Sequence, residues 1–376
     1  MGLDRIRRRL IIAVAVSSLI SVASPLLAQR SVDLGVAGIG LSLGNSPRWT
    51  GLRINWSDHA VERVHGINFT LWKAGENPDL AVNGVALGLV GPRAAALRGV
   101  ALGVGGVIAE QSLTGLAIGG LGVVSRGEIL GVSLAGLGLV AQRDLTGLAI
   151  AGLGVVAQGN LTGIQLAGLG TVAQGRMIGV SLAGLGVVAE NDMLGIQLSG
   201  LGTVSQGNLG GLSFSGLGVV ATGNLDGIAA AGIAVVATQR ARGLLAGGVA
   251  VVGVRGIEGI AIGGAGVVAT EGAVRGLAMS LGRVDAESAR GLLFGGYRVK
   301  APEIRGAALS VLMTRTAHLR GLAFAGYNEV RGIQRGITIG VFNRADELHG
   351  LQIGLLNHAG NNSGIFRWLP LLNAHF

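Results

Sequence analysis

The sequence predicts an all-β fold: an elongated β-solenoid of about twenty glycine-rich coils of 15–16 residues, with an atypical N-terminal cap. Three observations lead there. First, a glycine returns every 16 residues from Gly115 through Gly131, Gly147 and so on to Gly259, in nine equal steps. Second, 70 of the 376 residues are Gly while 49% are hydrophobic, 13% charged and 3% aromatic. That balance excludes disorder, and the absence of a three-residue glycine period excludes collagen. Too few rings are present for a conventional globular core, so thin packing between close backbones fits better. Third, each copy alternates apolar residues with turn chemistry, as in LTGLAIAGLGVVAQGN at 145–160. Two or three glycines per copy would each cost a helix about 1 kcal/mol. Val and Ile at alternating positions fit short strands instead.

Residues 1–28 form a separate object. Arg5, Arg7, Arg8 and Arg9 precede the apolar run LIIAVAVSSLI, which has signal-peptide length and is short for a membrane span. Cleavage is expected after Ala28, and export follows from this segment; an uncleaved anchor is the alternative reading. The chain has no cysteine, so lipid attachment to a cysteine and disulfide stapling are both excluded.

Residues 29–112 are expected to be divergent repeats forming a cap. Weak copies start at Gly51, Gly66, Gly84 and Gly99, and three of the four tryptophans (Trp49, Trp56, Trp72) fall here. Terminal repeats must cover an open end of the stack. Capping is thus the simpler role for these rings, and a ligand-stacking platform the sharper one.

Residues 113–274 form the regular array. The position of Ala149 is taken by Ser133, Gln165, Ser181, Gln197 and Ser213 in other copies, which predicts that it faces water. The position of Val155 takes Thr171 and Thr203, which predicts partial exposure. The position of Val156 is Val throughout, including Val124, Val172 and Val252, and is expected to be buried with Leu148, Ile150 and Leu153 as neighbours. Corners are expected at the AQGN-type tips (157–160) and at 152–154. Asn328, Asn343 and Asn357 stand seven residues after a repeat glycine, where the central copies have Gly, which suggests a positive-φ position. Coils stacked about 4.8 Å apart would make a rod on the order of 95 Å long.

Residues 275–376 change period. Arg275, Arg290, Arg305, Arg320 and Arg335 recur every 15 residues, each just before a repeat glycine. Stacked coils would bring them into one column. Such a column is either a solvated edge offset by Glu287, Glu303, Glu329 and Glu347 or a site for an anionic partner. Residues 239–376 hold fifteen basic and eight acidic residues, so the chain's net charge of +9 is concentrated there. Anionic lipid headgroups or polysaccharide suit an exported protein. Nucleic acid is not expected, because stacking aromatics are scarce near the column. A stacked array also permits end-to-end or edge self-association.

The copies GITIGVFN (336–343) and GLQIGLLN (350–357), with the closing LPLLNAHF (369–376), resemble the bacterial surface-repeat family built on G-L-Q-I-G-L-x-N units. Close resemblance spans about residues 321–376; the upstream GLGVVA copies share period and glycine placement. The resemblance implies an exported, surface-associated repeat protein and carries over no catalytic residue.

No reaction is indicated. GLGVVA has the shape of a dinucleotide fingerprint, yet it recurs at Gly136, Gly152, Gly168, Gly184 and Gly216 with turns rather than a helix after it. Asp58, His59, Glu62 and His65 are the one dense titratable cluster. A short amphipathic helix could gather some of them, but their spacing is not that of a zinc motif, and a polar capping segment is the reading adopted. No catalytic residue, cofactor or metal is therefore assigned. The function expected is structural or adhesive, at the cell surface, outer membrane or periplasm. The rival architecture is an outer-membrane barrel with one strand per copy, disfavoured because the regular copies lack aromatic girdles and long loops.

Overall fold

The computed structural model describes residues 31–75 and 77–376. The expected signal segment at 1–28 and the expected cleavage after Ala28 lie outside the described residues. The chain divides into two compact units, Met1–Ala151 and Gly152–Phe376. Each is a β-solenoid whose coils lie parallel on one another, and among the described residues the one helical element is the 3-10 turn Gly364–Arg367.

Each regular copy makes two strands and two corners, as its sequence implies. Met177–Ala183 and Gly186–Ala189 form one coil, Met193–Ser199 and Gly202–Ser205 the next. Register holds residue i beside i+16: Met177 pairs with Met193 and Ser181 with Gln197 on the long strands, Val188 with Val204 on the short ones. A barrel with one strand per copy would pair neighbouring strands antiparallel. The parallel ladders within each unit exclude that arrangement.

The repeat glycines line up. In the first unit Gly51, Gly66, Gly84, Gly99, Gly115 and Gly131 are successive partners, so the divergent opening already belongs to the array. In the second unit the column runs from Gly163 to Gly336. The passage to the 15-residue period is absorbed by an irregularity between Ala269 and Ala273. Antiparallel strands finish both ends: Ser31–Val36 lies on Ile39–Gly44, and Trp368–His375 lies on the strand carrying Gly350.

The predicted faces are inverted. Ala149, Ser133, Gln165, Ser181, Gln197 and Ser213 are buried, as are Val155, Thr171 and Thr203. The Val156 column is only half-buried, Leu148 and Ile150 are half-buried, and Leu153 is 48% exposed. Where Ser stands beside Gln the next coil offers a partner: Ser181 Oγ donates to Gln165 Oε1 at 2.8 Å and Ser213 Oγ to Gln197 Oε1 at 2.9 Å. Ser133 Oγ, Thr171 Oγ1 and the two glutamine Nε2 atoms, by contrast, are buried without a hydrogen bond among the described residues. A coil this thin fills its inside with Ala, Ser, Val and one Leu or Met per turn, and sends larger apolar side chains outward.

The asparagines also differ from expectation. None of Asn328, Asn343 and Asn357 has positive φ. Asn328 pairs in register with Thr314, which places it in the inward column of Val155 rather than at the glycine corner. Val284, Val299 and Thr314 stand eight residues after Gly276, Gly291 and Gly306, and Asn328 only seven after Gly321, so the residue is lost at the corner before Asn328. The three asparagines form a buried ladder, Asn328 Nδ2 donating to Asn343 Oδ1 at 2.8 Å and Asn343 Nδ2 to Asn357 Oδ1 at 2.7 Å.

Candidate functional site: the arginine column

The arginines sit on the long strands one residue before the repeat glycine, a position whose side chain points outward. The ladders pair Arg275 with Arg290, Arg290 with Arg305, Arg305 with Arg320 and Arg320 with Arg335. All five therefore share one edge of the second unit, one coil apart. Neighbouring guanidinium groups at this spacing repel by about 1 kcal/mol per pair in bulk water, so each seeks solvent, an acid or a bound anion.

Two of the five have an acid. Arg275 Nη1 lies 3.2 Å from Glu258 Oε1, and Arg305 Nε donates to Glu303 Oε1 at 2.6 Å. Glu303 is held below the usual carboxylate range by that hydrogen bond first, then by the fields of Arg305, Arg320 and Arg290. Arg290, Arg320 and Arg335 make no ion pair among the described residues. Of the other acids expected to offset the column, Glu287 makes no ion pair among the described residues, and Glu329 and Glu347 are engaged elsewhere. Glu329 binds Arg315 and Arg331, at 2.6 and 2.8 Å, and Glu347 binds His349 at 2.9 Å. Burial pushes the Glu329 carboxyl up, but the hydrogen bonds from Arg331 and Arg315 outweigh it and leave the group below its ordinary range.

Beyond the glycine, the adjoining outward column is apolar: Leu277, Leu292, Ala307, Leu322 and Ile337 are successive partners. The next outward column carries Met279, Phe294, Leu309, Phe324 and Ile339. Sequence reasoning placed the arginines but missed this border, because it assigned the same columns to the core.

The other sequence candidates disperse. The short helix imagined around His59 and Glu62 does not form, and the segment is a bend leading into the strand Arg63–Thr70. Asp58 is buried against Arg53, Glu62 reaches out to Arg48 at 2.7 Å, and His59 and His65 are exposed. Among the described residues no group of three His, Cys, Asp or Glu side chains could hold a metal. Trp49 is buried and its indole N–H donates to Gly40 O at 3.0 Å, a capping role, whereas Trp56 and Trp72 are exposed and stack on each other, centroids 6.0 Å apart. An open hollow in the first unit is lined by Lys73, Val90, Arg93, Val107, Ile108 and Leu121, with no carboxylate, hydroxyl or imidazole in its walls among the described residues. Among the described residues no helix is long and apolar enough to cross a membrane.

No family profile matches the chain, and no characterised protein or solved structure is significantly similar to it. The likeness of residues 321–376 to surface repeats therefore stands on their motifs.

Proposed function

We propose that this chain is a non-enzymatic, exported repeat protein of the cell surface or envelope, structural or adhesive in role, whose arginine column binds anionic envelope components. The observation that carries this reading is the set of five arginines on successive coils, three of them without an acidic partner among the described residues. A row of cations at one-coil spacing suits a surface or polymer that presents anions repeatedly rather than a single small ligand. The basic C-terminal third and the signal-like opening of the sequence support the same reading.

Replacing Arg290, Arg320 and Arg335 together with Gln tests it. Each basic residue near an anionic surface contributes about 1 kcal/mol, so binding to anionic vesicles or an anionic polysaccharide should fall about a hundredfold at low salt. The remaining binding should also depend less on salt. Unchanged affinity would leave the column as a solvated edge.

A further inference from the structure

We infer that the outward long-strand face beside the arginine column docks on an anionic lipid bilayer, its apolar columns entering the acyl boundary while the arginines meet the phosphates. The arginine half of this inference rests on the reading above; the apolar half rests on the inverted faces.

Three features converge on residues 275–339. The long-strand face is apolar on every coil, with Leu292, Phe294, Leu309, Phe324, Ile337 and Ile339 pointing outward and Phe324 50% exposed. The short-strand face of the same coils is mixed: one outward column runs Arg283, Arg298, Met313 and Tyr327, and the other gains charge. The latter is Val from Val172 to Val268, then becomes Asp285, Lys300, Arg315 and Glu329. Those charges pair with one another, Arg298 on Asp285 at 2.9 Å and Arg315 on the buried Glu329 at 2.6 Å. The arginine column borders the apolar face on one side, and on the other the edge column of Ser288, Glu303 and His318. An apolar surface with aromatic rings and a cationic margin, backed by a partly charged surface, is the pattern of an element lying in a membrane interface.

Charge complementarity chooses among occupants. A second copy packed on this face would set another arginine column against this one, and the acids that touch the column, Glu258 and Glu303, already hold Arg275 and Arg305. Anionic lipid brings phosphates in a plane beside acyl chains, which answers both columns at once. An anionic polysaccharide answers the arginines alone and leaves the apolar face in water.

The chain lacks cysteine, so single cysteines carry a polarity-sensitive dye (NBD) without background. Full-length Leu292→Cys and Phe324→Cys probe the apolar face, and Lys300→Cys the opposite one. All three positions are solvent-accessible, and circular dichroism matching the parent shows that the labelled chains fold. On vesicles of equal parts phosphatidylcholine and phosphatidylglycerol, the dyes at 292 and 324 should shift blue and brighten severalfold, and the dye at 300 should not. On pure phosphatidylcholine the shifts should be much weaker. Several outcomes overturn the inference: no shift at 292 and 324 while the vesicles still bind, an equal shift at 300, or an equal shift without anionic lipid. A shift that grows with protein concentration in the absence of vesicles overturns it in favour of a second copy. The Arg290, Arg320 and Arg335 triple substitution separates the two claims. If it abolishes vesicle binding while the parent shows no dye shift, the anion-binding reading survives and bilayer docking does not.

Discussion

Gly195→Ala is expected to destabilise the second unit by roughly 3 kcal/mol or more, a cost reserved for a few identifiable mechanisms. Two act together here. Gly195 has φ +127°, a region that residues with a Cβ rarely adopt, and an added Cβ would stand 2.0 Å from the carbonyl oxygen of Gly179 in the coil below. Neither can be relieved locally, because Gly179 meets the same constraint against Gly163. Gly202 is the control. Its φ is not in the positive region, and a Cβ would find ordinary contact, 3.6 Å from Gly218 O. Its column already contains Ala234 and Ala250. Gly202→Ala should therefore cost less than about 1 kcal/mol, within the range of mild substitutions. Hydrogen exchange reads both, since stability in a stacked array is local. Amides of Met177–Ala183 and Met193–Ser199 should lose protection in the first variant and keep it in the second.

Asp58→Ala should be comparably severe in the first unit. Arg53 and Asp58 have side chains 0% and 1% exposed and meet at 2.6 Å. The guanidinium also donates to Asn68 Oδ1 at 2.7 Å and Asn45 Oδ1 at 2.8 Å, while Asp58 Oδ2 accepts from Thr70 Oγ1 at 2.7 Å. Removing the carboxylate leaves a buried cation with only amide oxygens, and breaking such pairs costs about 3–5 kcal/mol. Protection should fall across Arg48–Asn55 and Arg63–Thr70 and persist at Met193–Ser199. The double substitution Arg53→Met with Asp58→Leu should recover much of the loss, because an apolar pair of similar volume avoids the desolvation of two charges. A single variant as stable as the parent would show that the pair is not essential to the opening coils.

Much of the fold was legible, because period and backbone geometry leave direct marks. Only glycine fits where coils approach most closely, so the repeat glycines announced the column of each unit, Gly51 to Gly131 in the first and Gly163 to Gly336 in the second, even where the surrounding residues diverge. The tips at 157–160 carried turn chemistry, and the arginine spacing matched the coil spacing. The faces were illegible for a physical reason. In an isolated strand a Ser or Gln at a variable position signals water; in a stack, Ser181 finds Gln165 one coil away and both stay buried. Uniform Val or Leu signals a core in a globular protein, but Leu153 and its equivalents lie outside. The Asn328–Asn343–Asn357 ladder escaped notice because Asn328 reaches the inward column seven residues after its glycine, where Val284, Val299 and Thr314 reach it after eight. The Arg53–Asp58 pair left no periodic trace at all.

Within each unit every coil lies parallel on the one before, one repeat along, and a disulfide between two neighbouring coils tests this directly. Ile228 and Leu244 are register partners with outward side chains. Their substitution by cysteine, in a chain with no other, places two thiols on adjacent parallel strands about 4.8 Å apart, within disulfide reach. Mild oxidation of Ile228→Cys/Leu244→Cys should close an intramolecular disulfide, found by mass spectrometry as one bridged peptide pair. Ile228→Cys/Val251→Cys should stay reduced, because residue 228 points outward from a long strand and Val251 is buried on a short one. Bridging of 228 to 251 without bridging of 228 to 244 would mean strands that turn back across the tip at 238–240, and would contradict the solenoid.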